Sequence, residues 1–157
     1  MTVDSQRLHE RVSRLEAQVA ELRQIVYARA AVVAAANDAA KAASETVDRV
    51  IAAGVVCPLP DRVAEYLRAH PDATDIVTGM AGELVREFQG EHAEIELDLY
   101  EDPEIDDQYL AFTVRKPTYE DKFVDRLLSV MAKFHEERGS ASGWVMVSTD
   151  FRPLPAP

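Results

Sequence analysis

A heptad repeat in the first third of the chain places the strongest constraint on its fold. Apolar residues recur at alternating steps of four and three from Leu8 to Val50. This spacing is typical of a helix that lies along another helix. The sequence therefore predicts a coiled-coil oligomerisation helix over residues 1–53.

The two inward positions of the repeat, a and d, indicate how such helices would pair. Valine dominates position a and leucine dominates position d in the first part of the repeat, a combination that favours a parallel two-stranded coil. Across such a dimer the flanking residue Arg11 would meet Glu16, and no flanking pair is repulsive. A higher oligomer is one alternative, and a lone amphipathic helix packed on its own domain is another. The residues expected at the oligomer interface are Leu8, Val12, Leu15, Val19, Leu22, Val26, Arg29 and Val33.

Two features modify this prediction. Arg29 is a charged residue at position d, where it either specifies the pairing or extends its long stem outward to solvent. From Ala28 to Ala43 alanine dominates and the apolar stripe widens. The alanine-rich half of the repeat, residues 28–50, could pack against a second helix, against the C-terminal domain or against another protein.

Charge and cysteine content exclude several classes of partner and scaffold. The 157 residues carry a net charge of −11, and residues 1–57 hold equal numbers of acidic and basic side chains, so the excess belongs to the remainder. Phosphate binding needs clustered Lys and Arg, so we expect neither nucleic-acid nor membrane binding. A basic protein partner is compatible with this charge.

The single cysteine, Cys57, cannot form an intramolecular disulfide, and no signal peptide or apolar run of about 20 residues is evident, so a cytoplasmic location is expected.

Residues 61–152 predict an acidic α+β domain, preceded by a linker at residues 54–60 and followed by a disordered tail at residues 153–157. Gly54 is expected to cap the long helix, and Pro58 and Pro60 prevent its continuation. The predicted order is two helices, two strands, a helix and a strand. The second of these helices has Ile76, Met80, Leu84 and Phe88 on one stripe, and the third begins at a cap formed by Thr118 and Asp121 and buries Phe123, Leu127, Val130, Met131 and Phe134.

Alternating residues define the sheet. Ala93, Ile95, Leu97 and Leu99 alternate with Glu94, Glu96 and Asp98, and a second strand with Leu110, Phe112 and Val114 completes a hairpin. A right-handed crossover makes the last strand, Trp144 to Phe151, parallel to the second strand. The simplest arrangement places it beside the first strand, in spatial order 3-1-2, with helices on one face of the three-stranded sheet. Because the last strand is apolar on both sides, it is expected to be central or to face an interface.

The polar clusters give only weak indications of chemistry. In the turn 101–107, Asp102, Glu104 and Asp106 alternate as in hard-cation loops, but Asp107 and Thr113 stand where glycine and glutamate are required. Glu94, Glu96 and Asp98 with Arg115 could form an acid–base site, although a surface ladder is the commoner arrangement. Cys57 lacks a nearby base. No catalytic, cofactor-binding or metal-binding residue is predicted, and the possible partner surface consists of Glu94, Glu96, Asp98 and Trp144.

Residues 60–151 also show a resemblance. A helix ending at His70-Pro71, a second helix, a strand entering the turn Asp102-Pro103-Glu104-Ile105, a further strand, a helix and a terminal strand follow in order. In this order the chain resembles short uncharacterised bacterial α+β proteins, which implies an architecture and no activity. Small proteins of this kind look like components of toxin–antitoxin pairs.

The function expected first is a non-enzymatic, self-associating adaptor that displays an acidic α+β domain on a coiled coil. One alternative is an antitoxin-like or chaperone-like module that binds a basic protein. A second alternative is a metal-dependent enzyme that uses the turn 101–107.

Overall fold

The computed structural model describes residues 3–104 and 107–154, with side chains from Ser5 onward. The chain divides into two compact units between Asp38 and Ala39. We call residues 5–38 the N-terminal segment and residues 39–154 the C-terminal domain. The elements are α1 (Val3–Ala52), α2 (Pro60–Ala69), a 3₁₀ turn (Pro71–Ala73), α3 (Thr74–Glu87), β1 (Glu94–Glu101), β2 (Gln108–Arg115), α4 (Phe123–Ala132), α5 (His135–Ser140) and β3 (Val145–Ser148).

The long helix predicted from the heptad repeat is present as α1. It ends at the predicted glycine, since Gly54 has a φ of +101° and its N–H donates to the Ile51 carbonyl at 2.9 Å. A left-handed residue directly after a helix is usually glycine, because it has no Cβ to clash. The α+β class and the long N-terminal helix are therefore confirmed.

The last turns of α1 belong to the core of the C-terminal domain. Ala43, Thr46, Val47 and Val50 are buried, and the three apolar ones join the main hydrophobic cluster. Their spacing of three and four places them on one face of a helix. From Ala43 onward, the alanine-rich half thus packs against its own domain.

The segment that follows α1, expected as a linker, contributes to the sheet. Val55 is buried, and Val56 forms an isolated parallel bridge with Glu96 of β1. The Val56 N–H donates to the Ile95 carbonyl and the Leu97 N–H donates to the Val56 carbonyl, both at 2.8 Å. This stretch therefore covers part of the outer edge of β1.

The sheet is mixed, with order β1-β2-β3. The hairpin is confirmed, because β1 and β2 are antiparallel with Leu97 opposite Phe112. The parallel last strand is also confirmed, because β3 runs parallel to β2 with Phe112 opposite Val147. The predicted order 3-1-2 and a central position for the last strand are wrong. Val56 occupies the edge of β1 on which that order depends, and β3 lies at the opposite edge, beside β2.

One face of the sheet forms the core together with the helices. The register places the buried strand residues on the same face, and the predicted stripe of α3 packs with them. The opposite face carries Glu94, Glu96 and Asp98, as the alternation predicts. The buried strand residues are Ile95, Leu97, Leu110, Phe112, Val114, Val145 and Val147.

The predicted start of the third helix at Thr118 is wrong. Helix α4 begins at Phe123 without a side-chain cap. The residues before it are held by other contacts, because the Tyr119 hydroxyl accepts the Lys116 N–H at 3.3 Å and donates to the Arg152 carbonyl at 2.8 Å. The predicted last strand, Trp144 to Phe151, is also too long, since β3 covers only Val145–Ser148. Among the described residues, no helix combines the length and the apolar character of a membrane span.

Candidate functional site

An exposed apolar stripe runs along the N-terminal segment. Every side chain from Ser5 to Asp38 is exposed, including Leu8 at 65 % and Val33 at 59 % of its full area. A stripe of this kind on a single helix is the face that normally packs against another element. We call it the heptad seam; its apolar members are Leu8, Val12, Leu15, Val19, Leu22, Val26 and Val33, and Arg29 lies between the last two of these along the chain.

Charged residues flank the seam and are available to a partner. Arg11, Glu16 and Arg23 occupy the outer positions next to it, and all three are exposed. Among the described residues, the salt bridge within α1 joins Lys41 to Glu45, far from these positions. Exposed charges beside an apolar stripe commonly select the partner and its register.

The predicted acidic partner surface is largely paired internally. Arg115 donates to Glu94 at 3.1 Å, to Glu96 at 2.9 Å and to Asp150 at 3.0 Å. These bonds, that to Glu96 first, raise the pKa of Arg115 above its usual value. Carboxylates held by one guanidinium are poorly placed to exchange protons, so this cluster is better suited to fastening β1 and β2 together than to acid–base chemistry.

The other two residues of that surface do not bond to Arg115. Asp98 accepts the N–H of Leu99 at 2.8 Å. Trp144 directly precedes Val145, which pairs with Leu110 at the end of the sheet away from Glu94. The Arg138 guanidinium lies 5.4 Å from the Trp144 ring centroid, and Trp144 is 53 % exposed. The structure therefore places Asp98 on the same sheet face as Glu94 and Glu96, and Trp144 toward the other end of the sheet.

The acidic turn shows no assembled metal site in the part that the structure describes. Asp102 accepts the Glu104 N–H at 2.8 Å, and its own N–H donates to the Asp107 carbonyl at 3.1 Å. Ile105 and Asp106 lie outside the described residues. Within residues 3–104 and 107–154, no group of three or more His, Cys, Asp or Glu is placed to hold a metal ion.

Cys57 has the environment of an inert thiol. It is partly buried, and burial together with the nearby Asp98 carboxylate raises its pKa to about 11. A thiol with that pKa stays protonated at neutral pH, whereas nucleophilic and metal-binding cysteines act as thiolates.

An ionic network that was not predicted from the sequence surrounds a buried lysine. Lys116 is only 6 % exposed and contacts Glu91 and Glu120, the latter at 2.8 Å. Arg126 donates to Glu87 at 2.8 Å, to Glu91 at 2.7 Å and to Glu120 at 2.6 Å. Only the Lys116–Glu120 spacing of four is visible in the sequence, because the other partners come from distant segments.

This network is suited to stabilising the fold. The Lys116 ammonium lies within 5.8 Å of the Phe88 and Phe123 ring centroids, and the Arg126 guanidinium lies 4.6 Å from that of Phe88. Both cations bond to carboxylates and lie against aromatic rings. Their N–H groups therefore offer no unsatisfied donor to a ligand. The network ties the end of α3 to the beginning of α4.

A second unpredicted cluster joins two loops of the domain. The Ser142 hydroxyl lies 3.1 Å from His70 Nδ1 and 2.9 Å from Asp72 Oδ1, and the Ser142 N–H donates to Asp72 Oδ2 at 2.7 Å. These bonds lower the pKa of Asp72. Nucleophilic triads place histidine between serine and the carboxylate, whereas here serine lies between the other two. The arrangement connects two loops and does not have the order of a catalytic triad.

No protein-family model, curated protein or solved structure matches this chain. The resemblance to short bacterial α+β proteins stays a prediction. The heptad seam is consequently the candidate site on which a function can be argued.

Proposed function

We propose that this protein is a non-enzymatic adaptor that associates with itself through the heptad seam and displays its acidic C-terminal domain. The observation that carries the proposal is the difference in burial within one repeat. Val33 and Val47 occupy the same inward position two heptads apart, yet Val33 is 59 % and Val47 is 3 % exposed. Val33 requires a covering surface from outside the N-terminal segment, whereas Val47 is covered by the C-terminal domain.

The area of the seam is adequate for a dimer. Fully burying a valine or leucine side chain contributes about 1.5–3 kcal/mol, so covering the exposed half of one contributes about 1 kcal/mol. Each chain supplies seven such residues, and both chains of a pair gain from the contact. Their sum lies toward the upper end of the cost of association, about 4–15 kcal/mol, so a reversible dimer is expected.

The acidic domain is the part offered to other molecules. The net charge of −11 lies outside residues 1–57, and a basic protein is the partner that this charge favours. The carboxylates bound to Arg115 are compensated within the domain, so the attraction would come from its other acidic residues. An antitoxin-like module that neutralises a basic partner is the second candidate, and it rests on this charge alone.

The first test measures the mass of the full chain by sedimentation equilibrium. Leu15→Glu with Leu22→Glu places charges in the seam, and Ala17→Glu with Gln24→Glu places the same charges on the opposite side of the helix. We expect the wild type and the control to have a multiple of the chain mass and the seam variant to be monomeric. A monomeric wild type at concentrations near 100 μM, which corresponds to less than about 5.5 kcal/mol of association, would contradict the proposal.

A further inference from the structure

We infer that the two helices of the self-associated form run antiparallel, with Leu8 opposite the partner's Val33 and Arg29 opposite the partner's Val12. The inference rests on the proposed self-association and adds the orientation and register of the second copy. It is argued from Arg29, the exposed cation inside the seam.

A parallel pair in register would oppose two like charges. Arg29 occupies position d, so it would face the partner's Arg29 across the seam. The seam and flanking residues within one turn on either side are apolar, so no carboxylate is near enough to compensate the pair. They are Ile25, Val26, Ala30, Val32 and Val33. Two guanidinium groups facing each other among these side chains would be both desolvated and repelled.

The valine and leucine pattern does not remove this difficulty. β-Branched residues at a with leucine at d favour two strands over three among parallel coils. This preference concerns the number of strands, and the orientation is decided by what each residue meets. The parallel dimer expected from the sequence therefore places Arg29 at its least favourable position.

An antiparallel pair centred between Ala20 and Glu21 places each seam residue opposite another seam residue. No like charges meet in any layer, because each arginine faces a valine. The overlap also includes the whole seam from residue 8 to residue 33. The layers are Leu8 with Val33, Val12 with Arg29, Leu15 with Val26 and Val19 with Leu22, each occurring twice.

The flanking charges complement this register. In an antiparallel pair, the flanking position that adjoins position d on one helix lies beside the same position on the other helix. Glu16 and Arg23 both occupy this position. Measured along the helix axis at 1.5 Å per residue, the partner's Glu16 is offset by about 3 Å from Arg23. Its offset from Arg29 along the same axis is about 6 Å. Both distances are within reach of an arginine side chain, so one carboxylate can meet two cations that the seam otherwise leaves uncompensated.

The experiment uses disulfide trapping in the full chain. In a Cys57→Ser background, one chain carries Leu8→Cys and a second chain of different tag mass carries Val33→Cys. The two are mixed and equilibrated in a glutathione redox buffer, and the disulfides are identified by mass. A disulfide needs Cα atoms about 4.4–6.8 Å apart, whereas in the antiparallel register the two Leu8 positions lie about 38 Å apart.

The antiparallel register predicts that the mixed 8–33 disulfide exceeds either symmetric disulfide at least tenfold. Predominant 8–8 and 33–33 disulfides would overturn the orientation while leaving self-association intact. Failure to form any disulfide in a mixture that light scattering shows to be dimeric would overturn the register. A monomeric mass for the reduced variants and the wild type would overturn the proposed function, and the inference with it.

Discussion

Val33 and Val47 hold equivalent positions in one heptad repeat, but they differ in what covers them. Val47 lies in the core of the C-terminal domain, and Val33 is exposed on the N-terminal segment. The apolar pattern specifies that a face will be buried, and it leaves open whether the covering surface belongs to the same chain. In residues 43–50 that surface is the domain, and in residues 8–33 we propose that it is a second copy.

The same substitution at the two valines should give opposite results. Val47→Asp leaves an uncompensated charge in the core, so the free energy of unfolding should fall by about 3–5 kcal/mol. Val33→Asp should leave the unfolding of the domain unchanged and weaken self-association. Urea denaturation followed by the fluorescence of Trp144, the single tryptophan, measures the first effect. Equal destabilisation by both variants would contradict the distinction between the two regions.

Two glycines of α3 test how closely the domain is packed. A Cβ on Gly79 would lie 2.6 Å from Phe134 Cε1, whereas a Cβ on Gly82 would meet nothing within 4 Å. Gly79→Ala should therefore destabilise the domain by about 1–3 kcal/mol. Gly82→Ala should stabilise it by about 0.5–1 kcal/mol, because alanine favours the helix. Thermal unfolding of both variants measures the effects, and stabilisation by both would show that Phe134 can move aside.

Acid should weaken the domain through the network around Lys116. The bonds from Lys116 and from Arg126 lower the pKa of Glu120 from 4.5 to about 2, and related bonds lower that of Glu91. A carboxylate whose folded pKa is depressed stabilises the fold above its unfolded pKa, and this contribution is lost as the pH falls from about 4.5 to about 2. Because Glu120 is partly exposed, its contribution should not exceed about 1 kcal/mol.

The Glu120→Gln variant isolates that contribution. It should be less stable than the wild type at pH 7, and the difference should shrink as the pH falls toward 2. Stability curves of the two proteins between pH 2 and pH 7 measure this convergence. Curves that stay parallel would show that Glu120 does not couple folding to protonation.

The smallest effect is expected at the edge of the seam. In the proposed antiparallel dimer, Glu16→Gln removes the carboxylate that faces the partner's arginines, and exposed ion pairs contribute about 0.2–1 kcal/mol each. The dissociation constant should rise by up to about fivefold for each of the two pairs that a dimer loses, and the difference should vanish in 1 M salt because screening removes it. A change that is independent of salt would assign Glu16 a role in packing.

Local signals in the sequence predicted the elements of the fold well. The stripe of Ile76, Met80 and Leu84, the alternation in β1 and the glycine at the end of α1 each depend on neighbouring residues only. The order of the strands was not predictable in this way, because it depends on Val56 covering one edge of β1. The cap at Thr118 failed for a similar reason, since Tyr119 bonds instead to Lys116 and to Arg152.

The candidate site was predictable as a list of residues and not as an interface. The heptad spacing identified the seam from Leu8 to Val33, and the structure shows these residues exposed in a single chain. The spacing cannot identify the covering molecule, because a helix presents the same stripe to any apolar surface. The possible partner surface of Glu94, Glu96, Asp98 and Trp144 stays a prediction, since Glu94 and Glu96 bond to Arg115 and Trp144 lies toward the other end of the sheet.

Amide hydrogen exchange of the full chain and of the Leu15→Glu, Leu22→Glu variant tests the central claim most directly. Protection of backbone amides reports the local free energy of opening, region by region. If a second copy covers the seam, amides in residues 8–33 should exchange at least ten times faster in the variant than in the wild type, while those in α2 and α3 should exchange equally in both. Equal exchange of residues 8–33 in the two proteins would contradict the claim that self-association buries the seam.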